Sequence, residues 1–96
     1  MHYLVTYDVR TQTAAGRRRL SRVAHLCERY GVRVQYSVFE VRLDQVRRAQ
    51  LESQLLEIIK TPGDSVNIYK LTGPPAASRI TLGSKPDHET GQPWIL

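Results

Sequence analysis

An α+β fold of order β-α-β-β-α-β is what this sequence predicts, on three observations. Aromatic and β-branched residues gather in short runs at residues 3–7, 32–43 and 65–71. Two longer segments between those runs carry apolar residues at helical spacing. Each boundary holds residues that stop one element or start the next.

Tyr3-Leu4-Val5-Thr6-Tyr7 reads as the first strand; it ends in Asp8-Val9-Arg10 and a polar stretch through Gly16. Residues 17–30 predict a helix, with Leu20, Val23, Ala24, Cys27 and Tyr30 on one arc and Gly31 as a natural stop. At about 100° per residue, Arg18, Arg22 and Arg29 fall within ~40° of one another, opposite that arc. The helix therefore has one core face and one arginine face. Across 32–43 the apolar parity switches, from Val32, Val34, Tyr36 and Val38 to Phe39, Val41 and Leu43. One strand keeps one parity, so two short strands meet near Tyr36-Ser37-Val38. Asp44 is placed to cap a second helix over 45–60, with Leu51, Leu55, Leu56, Ile58 and Ile59 facing inward. Thr61-Pro62-Gly63-Asp64 ends it, Ser65–Leu71 alternates as another strand, and Gly73-Pro74-Pro75 closes that strand.

This order is the split βαβ, ferredoxin-like pattern: an antiparallel sheet with both helices on one face. The other sheet face needs a cover, and for so small a domain a second copy is the cheapest one. The expectation is a homodimer packed sheet to sheet. A C-terminal extra strand, Arg79-Ile80-Thr81-Leu82, would pair with the partner's sheet edge. Residues 1–72 are expected to form the domain, and 73–96 the extra strand and a tail.

Ninety-six residues suffice for a single domain. No apolar run approaches the ~20 residues of a membrane span, and the start, MHYLVTYDVR, shows no secretory signal. The lone cysteine, Cys27, precludes an internal disulfide and suits a reducing cytoplasm. His2, His25 and His88 lie too far apart for a zinc-finger spacing. The net charge of +5 is unevenly distributed: residues 1–48 hold ten arginines against four acidic residues, while 49–96 hold four basic and five acidic residues. Arginine's rigid fork of donors matches phosphate oxygens, so the basic half points to a polyanion partner. The alternative is a basic face kept for solubility.

Tyr7-Asp8-Val9, then Gly16-Arg17-Arg18-Arg19-Leu20, then Tyr30-Gly31-Val32-Arg33-Val34-Gln35-Tyr36-Ser37-Val38-Phe39-Glu40, resembles the small CRISPR-associated protein two family. The likeness runs from residue 3 to about 72, and the tail Gly83-Ser84-Lys85-Pro86 through Pro93-Trp94-Ile95-Leu96 is similar to one branch of that family. The resemblance implies homodimers of ferredoxin-like domains with a fifth strand crossing onto the partner. It implies a small subunit flanked by two integrase dimers, holding prespacer DNA for insertion into a CRISPR array. It implies also that some members are metal-dependent nucleases on RNA or double-stranded DNA. Tyr7, Asp8, Arg17, Arg19, Arg33 and Phe39 match the family's functional positions.

Asp8 is the expected ligand of Mg²⁺ (or Mn²⁺). The ion would sit between two subunits, where a twofold axis brings a second Asp8. The competing reading has Asp8 capping the loop that follows it. Arg17, Arg18, Arg19, Arg22 and Arg33 are expected to bind nucleic acid, double-stranded or forked DNA foremost and RNA as an alternative. Phosphate contacts of that kind give affinity without sequence readout. Tyr7, Ser37 and Phe39 are expected to support the site through packing and a turn. Cys27 belongs to the core, and His25 to the arginine side of its helix. Trp94-Ile95-Leu96 is expected to dock on its own dimer or on the integrase. Three roles follow: a DNA-bridging scaffold, which is favoured; a metal-dependent endonuclease using the Asp8 pair; and a ribonuclease that acts alone.

Overall fold

A computed structural model describes residues 1–83. Its elements are β1 (His2–Asp8), α1 (Ala14–Tyr30), β2 (Gly31–Gln35), β3 (Val38–Arg42), α2 (Gln45–Ile58), β4 (Ser65–Leu71) and a short α3 (Pro75–Ser78). The sheet runs in the order β2-β3-β1-β4 with every neighbour antiparallel. This is the ferredoxin-like arrangement that the sequence predicts, with β1 in the middle of the sheet.

Register fixes the two faces of the sheet. Tyr3 pairs with Val41 and Val5 with Phe39, and Tyr3, Val5, Tyr7, Phe39 and Val41 are all buried. Val23, Leu26 and Cys27 of α1 and Leu51 and Leu55 of α2 pack on them, so both helices cover this face. A hydrogen bond of 2.6 Å from the Tyr30 hydroxyl to Gln54 Oε1 ties the two helices together. The alternate residues, among them Leu4, Val38, Glu40, Tyr69 and Leu71, point to the opposite face, where Tyr69 stays 53% exposed. Residues after β4 turn back toward this face: Arg79 Nη1 donates to Glu40 Oε2 at 3.1 Å.

The parity switch resolves as a two-residue hairpin. Gln35 pairs with Val38, the register slips between Arg33 and Gln35, and Ser37 takes a left-handed φ of 66°. Asp44 caps α2 by accepting from the Arg47 backbone N–H at 2.7 Å.

Four expectations change. The first helix starts at Ala14, not at residue 17, because the Thr13 hydroxyl accepts from the Gly16 N–H at 3.0 Å and caps it. Gly16 is thus inside the helix, where a Cβ would lie 2.0 Å from the Arg10 carbonyl oxygen. The second helix ends at Ile58 rather than residue 60: Ile59 is already extended, and the Lys60 N–H donates to Asp64 Oδ2 at 2.9 Å instead of to a helical carbonyl. Leu56 is 69% exposed instead of inward, because Leu55 takes the core position on that turn. Residues 79–82 form no strand within the single chain, and Ile80 and Leu82 are 87% and 90% exposed. A strand needs an edge to pair with, and the sequence assigned this run to the edge of a second copy. The tail residues 84–96, including Trp94-Ile95-Leu96, lie outside the described residues.

Candidate metal and nucleic-acid site

Asp8 is the last residue of β1, opposite Ser65 of β4, and its side chain is exposed. It joins no ion pair among the described residues. The loop amide that a capping Asp8 would hold is held by another carboxylate. Asp64 Oδ1 accepts from the Arg10 N–H at 3.0 Å. Its Oδ2 accepts from Arg19 Nε at 2.7 Å and from the Lys60 N–H at 2.9 Å. The Asp64 side chain is fully buried, and the Arg19 guanidinium beside it holds its carboxyl down at about 2. Sequence reasoning missed this residue, because Thr61-Pro62-Gly63-Asp64 reads as a turn and nothing local reveals a partner 45 positions away.

Tyr7 and Phe39 lie on the helix-covered face of the sheet with Arg33 and Ser37 against them, whereas Asp8, one residue on from Tyr7, alternates to the reverse face. The Arg33 guanidinium stands over the Phe39 ring, 5.1 Å from its centroid, and the Tyr7 and Phe39 rings stack with centroids 6.2 Å apart. Arg33 and the Ser37 hydroxyl both approach the Tyr7 hydroxyl, while burial pushes that phenol's pKa up. The Arg33 Nε is buried without a hydrogen-bond partner among the described residues. The Cys27 thiol is pushed up to about 12 by burial, which leaves it an unreactive core group.

The five arginines assigned to nucleic acid divide. Arg19 is engaged by Asp64 and Arg33 lies against the core. Arg17 is exposed but donates from Nη1 to the Thr11 carbonyl at 3.1 Å, across the loop that follows β1. Arg18 and Arg22 are exposed on α1, with Arg29 further along the same face. Arg22, His25 and Arg29 also line a shallow groove of about 330 Å³ against Gln54 and Glu57 of α2. Because α1 begins at Ala14, Arg17–Arg19 lie a turn inside the helix, where they oppose its dipole less than at its first residues.

Among the described residues, Asp8 is the exposed carboxylate at this end of the sheet, Asp64 being buried and taken up by its three donors, and no group of three or more His, Cys, Asp or Glu is close enough to hold a metal ion. Mg²⁺ keeps several waters and takes one or two carboxylates together with substrate phosphates. Asp8, exposed and free of ion pairs with the described residues, supplies one carboxylate of the kind such an ion takes.

Fold and site together define a class: a small ferredoxin-like α+β domain with a carboxylate at the end of its first strand and an arginine-faced first helix. The chain belongs to the CRISPR associated protein Cas2 family, whose model matches residues 1–77. A Halalkalibacterium halodurans protein called CRISPR-associated endonuclease Cas2 is 38% identical over 96 residues, covering 100% of both chains. A Moorella thermoacetica protein called CRISPR-associated endoribonuclease Cas2 1 is 46% identical over 74 residues, covering 77% of each. The crystal structure of Streptococcus pyogenes Cas2 at pH 6.5 superposes with a TM-score of 0.79 at 44% identity, covering 86% of this chain and 100% of that one.

Proposed function

We propose that two copies of this chain form the DNA-holding subunit of a CRISPR adaptation complex in the cytoplasm, bridging integrase dimers while prespacer DNA is held for insertion into the array. The observation that supports this reading best is the solvent-facing Arg18, Arg22 and Arg29 row on α1, which makes no ion pair with a described residue. Such a row contacts phosphates and ignores sequence, as a protein handling any foreign DNA must. The half-apolar sheet face with Leu4, Val38, Tyr69 and Leu71 supports a homodimer packed sheet to sheet, with residues 73–96 contacting the partner subunit or the integrase. The test is spacer acquisition in cells carrying the cognate integrase and array. Replacing Arg18, Arg22 and Arg29 by Glu abolishes it, whereas Asp8→Ala, with dimer and complex intact, leaves it in place. Loss on Asp8→Ala would favour the second reading.

That second reading is a Mg²⁺- or Mn²⁺-dependent endonuclease on double-stranded DNA or single-stranded RNA. The names of the Moorella and Halalkalibacterium relatives and the exposed carboxylate of Asp8 support it. Asp8 of each copy would hold the ion, which when bound supplies positive charge to a phosphate and acidifies a water. Arg17, exposed one turn into α1, would hold a neighbouring phosphate. Tyr7, Arg33, Ser37 and Phe39 would keep β1 and the hairpin rigid behind Asp8. Cleavage that a chelator abolishes and that Asp8→Ala removes without loss of the dimer is the expected result under this reading.

A further inference from the structure

The backbone that follows Asp8 is gripped from two sides by residues outside the site. Asp64 Oδ1 takes the Arg10 N–H at 3.0 Å, two residues after Asp8. The Arg10 carbonyl lies so close to α1 that a Cβ on Gly16 would stand 2.0 Å from its oxygen. On the other side of the loop, a Cβ on Gly63 would meet the Arg10 side chain at 2.8 Å. Asp64 meanwhile takes Arg19 Nε at 2.7 Å, which fixes α1 against the same carboxylate. It also takes the Lys60 N–H at 2.9 Å, which fixes the turn leading into β4. The next residue, Ser65, is the cross-strand partner of Asp8 itself.

We infer that Asp64 is the positioning residue of the Asp8 site: its buried carboxylate joins the β1–α1 loop, α1 and the start of β4, and so sets where the Asp8 carboxylate stands. The inference deepens the reading of Asp8 as the residue that faces a divalent cation and a phosphate, and it rests on that reading. It also gives Arg19 a role apart from phosphate contact, as the strut that keeps Asp64 ionised and in place. An unpaired acid would not be retained at a fully buried position, because a buried charge needs its partners. The three donors that converge on Asp64 supply them. Only a carboxylate offers acceptor sites for all three at once without bringing a donor of its own.

The test compares Asp64→Asn, Arg19→Gln and Asp8→Asn in the full-length dimer, below the melting temperature of each. One readout is hydrogen exchange at the Arg10 amide; another is the apparent affinity for Mn²⁺ alone, followed by paramagnetic broadening of the Asp8–Arg10 amides. In folded Asp64→Asn, protection of the Arg10 amide falls tenfold or more and Mn²⁺ affinity falls several-fold. Arg19→Gln moves both in the same direction by less, and it serves as the readout if Asp64→Asn does not fold. A folded Asp64→Asn that melts lower but keeps wild-type Arg10 protection and Mn²⁺ affinity overturns the inference, since that is the behaviour of a residue serving stability only. Asp8→Asn is expected to lose the Mn²⁺ response with Arg10 protection intact. An unchanged Mn²⁺ response there overturns the reading of Asp8 instead, and the Arg10 amide then decides the clamp alone.

Discussion

Arg19 and Arg18 are neighbours of identical chemistry with opposite surroundings. Arg19 donates to a buried carboxylate, while Arg18 faces solvent. The difference comes from the helix, which turns one toward the β4 end of the fold and the other away. Removing Asp64 strands the Arg19 charge and two backbone N–H groups, so Asp64→Ala is expected to lower stability by about 3 kcal/mol in urea titration. The same carboxyl is expected to leave a mark in acid. Its folded-state value of about 2 lies below the ordinary 3.8, so its contribution is complete above about pH 4 and is lost as pH falls through about 2. Asp64→Asn should flatten the stability profile across that window, read as the denaturation midpoint at successive pH values.

At the scale of elements, α1 couples fold to function. Its inward arc of Val23, Leu26 and Cys27 seats it on the sheet, and that seating presents Arg18, Arg22 and Arg29 outward. The cap begins the helix where Gly16 meets the Arg10 carbonyl. Thr13→Ala is expected to cost about 1 kcal/mol of stability, measured by thermal or chemical unfolding. Changing Arg18, Arg22 and Arg29 together to Gln is expected to leave unfolding nearly unchanged while weakening duplex DNA binding. The slope of log affinity against log salt should fall by up to about 3 for each copy in contact with the duplex, if each arginine neutralises one phosphate. An unchanged slope would mean that these arginines are a solvated face only.

For the whole molecule, the decisive feature is asymmetry between the two faces of one sheet. Two helices bury Tyr3, Val5, Tyr7, Phe39 and Val41, while the reverse face leaves Tyr69 53% exposed beside Leu4 and Leu71. A half-apolar surface of that kind on a small domain is a candidate interaction site. Under the proposed dimer, Tyr69→Glu is expected to give a folded monomer by sedimentation where the unaltered chain sediments as two copies, and to abolish the Mn²⁺ response expected of paired Asp8 carboxylates. A variant that stays dimeric would exclude this face as the dimer contact.

The order of elements, the hairpin at Tyr36-Ser37, the Asp44 cap and the arginine face of α1 are all local properties. Each depends on the period of side chains or on the chemistry of one turn, so the sequence by itself determined them. The start of α1 at Ala14 was nearly legible, because Thr13 and Gly16 are a capping residue and its N–H donor three positions apart. What joins residues far apart in the chain was decided by tertiary structure alone. Asp64 meets Arg19 across 45 positions and the Arg10 amide across 54, and Arg33 finds Phe39 and Tyr7 only once β2, β3 and β1 lie side by side. Sequence shows which arginines exist; packing decides which are held as struts and which are left to meet a phosphate. The physical reason is that a long-range contact depends on where the whole chain has folded, and no residue type or spacing encodes it locally.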